Sequence, residues 1–195
     1  TLVSPSTGST NQNVNPYLDW NAVSGITYYD LQYDTVSTFS SSQLQQIQVS
    51  SSSSEYYPSN LFFGKTYYWR VRARHSVDTT SWSATWNFTT LNSTTLYSPS
   101  NGAVSQDVNV NLDWNAVNGI NYYDVEFDTT AAFNSPLHQI QTTLTGYSNY
   151  SPSNLLFGTK YYWRARSRHT ADTTEWSSTW SFTTMNGMSL VSPSN

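Results

Sequence analysis

A block of six residues constrains this chain more than anything else in it. Leu18-Asp19-Trp20-Asn21-Ala22-Val23 recurs 94 residues further on as Leu112-Asp113-Trp114-Asn115-Ala116-Val117. The same offset carries Tyr67-Tyr68-Trp69-Arg70 onto Tyr161-Tyr162-Trp163-Arg164, Trp82-Ser83 onto Trp176-Ser177, and Phe88-Thr89-Thr90 onto Phe182-Thr183-Thr184. Register slips by one residue near Ile47 and Ile140 and then recovers, the behaviour of a loop or edge strand. The opening Leu2-Val3-Ser4-Pro5-Ser6 returns at Leu96-Tyr97-Ser98-Pro99-Ser100 and again at Leu190-Val191-Ser192-Pro193-Ser194. A chain written twice must fold as a small unit used twice. The expected division is 1–92, 93–187 and, at 188–195, the start of a third copy, so that the polypeptide is expected to continue.

Each copy consists of short alternating runs of Val, Ile, Leu, Tyr and Trp, broken by Ser, Asn, Gly and Pro. No window sustains a helical period. Strands are predicted near 2–4, 14–20, 26–34, 43–49, 54–57, 66–74 and 84–90, the pattern of an all-β sandwich. Charged residues make up only 10% of the chain, against a usual share of about a quarter. The core must therefore come from rings: 15 Tyr, 8 Trp and 8 Phe, each able to bury ~150–250 Å². That supply excludes a disordered chain.

The formal net charge of −4 and the lack of a basic block argue against a nucleic-acid partner. No apolar stretch approaches the ~20 residues of a spanning helix, so membrane insertion is not expected. The absence of cysteine removes disulfides, thiolate metal sites and thiol nucleophiles.

Several stretches carry a family resemblance. Trp20 ends the second strand, Gly25 to Tyr33 reads as a third strand, and Leu61-Phe62-Phe63-Gly64-Lys65-Thr66-Tyr67 resembles the Leu-x-Pro-Gly-x-x-Tyr corner of fibronectin type III domains, with Phe63 in place of the proline. The resemblance implies two tandem fibronectin type III-like, immunoglobulin-like β-sandwiches, with Tyr67 as the corner tyrosine. It also implies that strands 26–34 and 66–74 are neighbours.

Alternation assigns the faces of that pair. Tyr29, Leu31, Tyr33, Tyr67, Trp69, Val71 and Ala73 point inward. Asp30, Gln32 and Asp34 then face Arg70, Arg72 and Arg74 outside. The second copy offers Asp124, Glu126 and Asp128 against Arg164, Arg166 and Arg168, so these six positions hold every arginine. Trp82-Ser83-Ala84-Thr85-Trp86 and its counterpart Trp176-Ser177-Ser178-Thr179-Trp180 resemble a stretched Trp-Ser-x-Trp-Ser box of cytokine receptors. That resemblance places Trp82 and Trp176 against the arginines and Trp86 and Trp180 inside. The row reads as an internally paired structural ladder rather than an anion site.

His75 and His169 precede Asp78 and Asp172 by three residues, and read as strand-end histidines tied to their own loops. Asp-Thr pairs recur at Asp34-Thr35, Asp78-Thr79, Asp128-Thr129 and Asp172-Thr173. They suit turns and are also similar to the O-glycan acceptor of exported proteins in gliding Gram-negative bacteria, which marks Thr35, Thr79, Thr129 and Thr173. Outward Tyr28 and Tyr68 shield the arginines or offer rings to a sugar.

No paired carboxylates, triad, metal cluster or phosphate loop recurs in both copies, so neither enzyme activity nor a cofactor is expected. The chain resembles type III-like repeats of large bacterial adhesins and of type IX secretion products. The resemblance implies an extracellular or cell-surface, non-catalytic structural and adhesive repeat. It would act as a rod-like spacer whose partners are adjacent repeats and a surface glycan or protein. A short tether, Leu91 to Thr95, and modules of roughly 30–40 Å, from strands rising ~3.3 Å per residue, suit that role. The alternative is an accessory or carbohydrate-binding linker module of a secreted polysaccharide- or protein-degrading enzyme.

Overall fold

The computed structural model describes residues 1–187 apart from 145 and 171; residues 188–195, the expected third copy, lie outside the described residues. The first unit contains β1 (Leu2–Ser4), β2 (Ser9–Gln12), β3 (Leu18–Trp20), β4 (Tyr28–Asp34), β5 (Gln45–Ser50), β6 (Glu55–Tyr56), β7 (Thr66–Arg74) and β8 (Trp86–Thr90). The second contains β9 (Leu96–Ser98), β10 (Ala103–Gln106), β11 (Leu112–Trp114), β12 (Tyr122–Asp128), β13 (Gln139–Leu144), β14 (Asn149–Tyr150), β15 (Lys160–Arg168) and β16 (Trp180–Thr184).

Each unit has a small sheet, ordered β1-β3-β6 or β9-β11-β14, and a large one, ordered β2-β8-β7-β4-β5 or β10-β16-β15-β12-β13. The chain passes between sheets from β3 to β4, from β5 to β6 and from β6 to β7, which is Greek-key connectivity. The molecule is all-β, two tandem fibronectin type III-like sandwiches.

The core follows the alternation. Leu18 and Trp20 point in from the small sheet, and Tyr29, Leu31, Trp69 and Phe88 from the large one, all fully or nearly fully buried. Trp20 meets Tyr29 edge to face, with ring centroids 5.3 Å apart, and Trp114 meets Tyr123 at the same distance. The corner is formed by Tyr67, whose hydroxyl accepts the Phe62 N–H at 2.9 Å; Tyr161 accepts that of Leu156 at 3.0 Å. Gly64 turns this corner at φ +61°, and a Cβ there would lie 2.6 Å from Asn92 Oδ1.

Several strand predictions differ from the structure, β5 and β8 among them with starts at Gln45 and Trp86, and three of the differences have a clear physical reason. β2 was not expected, because Ser9-Thr10-Asn11-Gln12 has no apolar residue to bury; it is held by backbone pairing, parallel to β8. The strand predicted from 14 begins at Leu18, since Pro16 has no N–H to donate to a ladder. The strand predicted from 26 begins at Tyr28, after a turn in which Gly25 takes φ +75°.

Candidate functional site

The outward face of β4 and β7 is the most chemically developed surface of each unit. Register decides which groups meet there. Asp30 lies opposite Arg72, Gln32 opposite Arg70, and Tyr28 opposite Arg74. In the second unit Asp124 lies opposite Arg166, Glu126 opposite Arg164, and Tyr122 opposite Arg168. Beside the row runs the Trp82 segment. Ser83 fastens it to β7, donating its N–H to the Val71 carbonyl at 2.9 Å and accepting the Val71 N–H on its hydroxyl at 3.1 Å. Ser177 does the same with Ala165. Trp82 is thereby laid against the row, with its ring 4.6 Å from Arg70 Cζ and 4.4 Å from Arg72 Cζ. Trp176 sits 4.8 Å from Arg164 and 4.4 Å from Arg166. Trp86 and Trp180 take the inward side, half-buried and edge-on to Trp69 and Trp163.

In the second unit the carboxylates are consumed. Arg164 Nε donates to Glu126 Oε2 at 2.6 Å, and His138 Nε2 lies 2.7 Å from Oε1. Arg166 Nε donates to Asp124 Oδ2 at 2.9 Å. The other oxygen accepts the Thr142 hydroxyl at 2.8 Å and lies 3.5 Å from Arg168 Nη2. In the first unit Arg70 spends two nitrogens on the neutral Gln32 oxygen, at 2.9 and 2.7 Å. Arg72 and Arg74 crowd onto one oxygen of Asp30, Oδ2, at 2.8 and 3.0 Å. Burial, with Arg72 alongside, lowers the Arg70 pKa, whereas the hydrogen bond that Arg74 donates to Asp30 raises that of Arg74.

Two expectations for the row are corrected. Asp34 and Asp128 do not join it: they lie opposite Tyr68 and Tyr162, beyond the last arginine. The loop after each strand closes over them instead. Asp34 accepts the Thr35 N–H at 2.6 Å, the Ser41 N–H at 3.0 Å and the Ser41 hydroxyl. Asp128 takes the Thr129 N–H, the Ser135 N–H, the Ser135 hydroxyl and the Thr130 hydroxyl. Burial pushes both carboxyls up, but these donors outweigh it, and Asp128 is lowered to about 2. The second correction concerns Arg74 and Arg168, whose rings are Tyr28 and Tyr122, at 5.4 and 5.2 Å, rather than the tryptophans, because the indoles reach only the first two arginines.

Phe39 and Phe133 belong to the site and were missed. Each is buried at the tip of the loop that Asp34 or Asp128 anchors, at φ 54° or 52°, and lies 4.0 or 4.2 Å from Arg70 or Arg164. Their recurrence at the repeat offset inside polar loops was the available signal.

Of the Asp-Thr threonines, Thr35 and Thr129 are half-buried, with hydroxyls turned toward Asp34 and Ser41 or Asp128 and Ser135. Thr79 gives its N–H to Asp78, and Thr173 bridges Arg168. His75 and His169 donate their backbone N–H to the Asp78 and Asp172 carbonyls. Among the described residues no group of three or more His, Asp and Glu is placed to hold a metal ion, and no helix is long and apolar enough to cross a membrane.

No protein-family model and no curated protein matches the chain. Solved structures of similar fold include the FN1–FN3 domains of chicken CNTN1, at 15% identity and a TM-score of 0.39 over 93% of this chain, which spans 64% of that one. Another is a two-domain fibronectin type-III segment of chicken tenascin, at 14% identity and a TM-score of 0.41, covering 94% of this chain and 97% of that.

Proposed function

We propose that this chain is a non-catalytic structural and adhesive repeat of a long extracellular surface protein, with each module a spacer and adjacent repeats its first partners. The observation that carries the reading is the reuse of one scaffold. The same indole, arginine and corner tyrosine contacts recur in both units, so the polar groups most able to do chemistry are largely engaged in holding the sandwich. A face occupied by its own side chains suits repetition in series. Thr35, Thr79, Thr129 and Thr173 are proposed as O-glycan acceptors on the same exported protein.

The test is made on the source cells. An antibody raised against this fragment should label intact cells, and brief external protease should remove the signal. Labelling only after lysis would overturn the reading. Intact-mass measurement of natively purified protein decides the glycan proposal: a mass equal to the bare polypeptide removes it. A catalytic domain in the same polypeptide would favour the accessory module of a degrading enzyme instead.

A further inference from the structure

The two units close the same face to different degrees. At the position of Glu126 the first unit has Gln32, and at the position of Thr142, opposite the ladder aspartate, it has Gln48. The first exchange changes the charge. The first face carries Arg70, Arg72 and Arg74 against the single carboxylate Asp30, because Asp34 is buried in its own loop. The second carries three arginines against Asp124 and Glu126, with His138 beside Glu126. The second exchange changes access. Asp124 Oδ1 is covered by the Thr142 hydroxyl, whereas Asp30 Oδ1 has no hydrogen-bond partner among the described residues. The Asp30 side chain is 13% exposed and that of Asp124 only 4%.

Other groups around Asp30 are also uncommitted. Among the described residues Arg72 makes its hydrogen bond through Nε alone, leaving both terminal nitrogens. Gln46 accepts from Gln32 but its own amide N–H groups are unused, and the Gln48 side chain makes no hydrogen bond among the described residues. These groups line one groove of about 320 Å³, with Trp82 in its wall.

We propose that this groove, on the first unit alone, binds an acidic saccharide of the uronate type. A sugar carboxylate matches the free edge of Arg72 and the positive excess of the face, since a guanidinium fork fits a carboxylate in its own plane. Hydroxyls on the same ring supply the donor that Asp30 Oδ1 lacks and fill the Gln46 and Gln48 amides. An acidic peptide carries the carboxylate without that array of adjacent hydroxyls, and a neutral sugar carries the hydroxyls without the charge. The proposal deepens the adhesive part of the function above and rests on it only for its biological setting.

The test is calorimetric titration of the whole chain with oligogalacturonate at low salt, beside neutral oligogalactose and oligoglutamate. One equivalent of oligogalacturonate should bind, with the neutral sugar and the peptide each weaker by about tenfold or more and with affinity falling as salt rises. The paired change Gln32→Glu with Gln48→Thr installs residues the second unit already carries at the same register. It should abolish binding without lowering the unfolding midpoint. The reciprocal set, Glu126→Gln, Ile140→Gln and Thr142→Gln, should raise the stoichiometry toward two. Equal binding of oligoglutamate would overturn the saccharide assignment, and unchanged affinity in the paired variant would overturn the location. No binding at all would overturn the proposal while leaving the cell-surface result to stand separately.

Discussion

The ring of Phe39 lies over the guanidinium of Arg70, its centroid 4.0 Å from Cζ, and the Trp82 ring lies 4.6 Å from the same atom. Among the described residues Arg70 has only a neutral hydrogen-bond partner, so its charge is stabilised by two aromatic rings rather than by a carboxylate. Changing Phe39 to Leu keeps an apolar contact and removes the ring. The unfolding free energy should fall by ~0.5–2 kcal/mol, the range of a cation–π contact. Urea unfolding measures it, and an unchanged midpoint would show that the ring does nothing for the arginine.

Asp34 and Asp128 set the low-pH edge of stability. Their folded pKa values are depressed below the unfolded value of about 3.9. The stability they contribute is therefore complete above about pH 4 to 5 and is lost as pH falls through the folded values, near 2 for Asp128. Asp128→Asn should be less stable at neutral pH and should flatten the decline over this window. Urea midpoints taken from pH 5 down to pH 2 provide the comparison; parallel curves for parent and variant would contradict it.

Trp20 is a core residue whose indole nitrogen has no hydrogen-bond partner among the described residues. Trp20→Ala should cost ~3–5 kcal/mol, the usual penalty for deleting a large buried ring. Trp20→Phe should cost clearly less, since it loses no hydrogen bond. If the alanine variant melts within a degree or two of the parent, Trp20 is not holding the sheets together.

At the corner, Tyr67→Phe leaves the ring stacked on Phe88 but strips the acceptor from the Phe62 N–H. A loss of about 1–3 kcal/mol is expected for a donor left without its partner. Thermal unfolding with Tyr161→Phe alongside should give similar losses, because the second corner has the same geometry.

Much of this is legible in the sequence. Alternation on β4 and β7 assigned inward and outward residues correctly, because side-chain period is a local property of a strand. The Trp82 contact was legible through the resemblance of Trp82-Ser83-Ala84-Thr85-Trp86 to a stretched Trp-Ser-x-Trp-Ser box. β2 was not legible: four polar residues joined only by backbone bonds leave no hydrophobic signature. Asp34 was assigned the right side of its strand and the wrong partner. Parity says which face a residue takes, but the loop through Ser41 decides what covers it. Phe39 was lost for the same reason, since nothing in a loop's composition says over which neighbour it folds.

The parallel pairing of β2 with β8 has a mechanical consequence. The chain enters a module through β1, paired to β3 in the small sheet, continues into β2, and leaves just after β8. Once β1 is pulled from β3, tension on the two ends drags β2 and β8 past each other along their common axis. The bonds that tie them include Gly8 N–H to the Asn87 carbonyl at 2.8 Å and Leu91 N–H to the Gln12 carbonyl at 2.8 Å. Gly102 to Ser181 and Met185 to Gln106 repeat them in the second unit, at 2.7 and 2.8 Å. Loaded sideways in this way, such bonds share the force and must yield together, whereas a hairpin peeled from its end surrenders them one by one. After β1 has yielded, the strand with the least sequence signal is thus the latch that keeps the rest of the module shut under load.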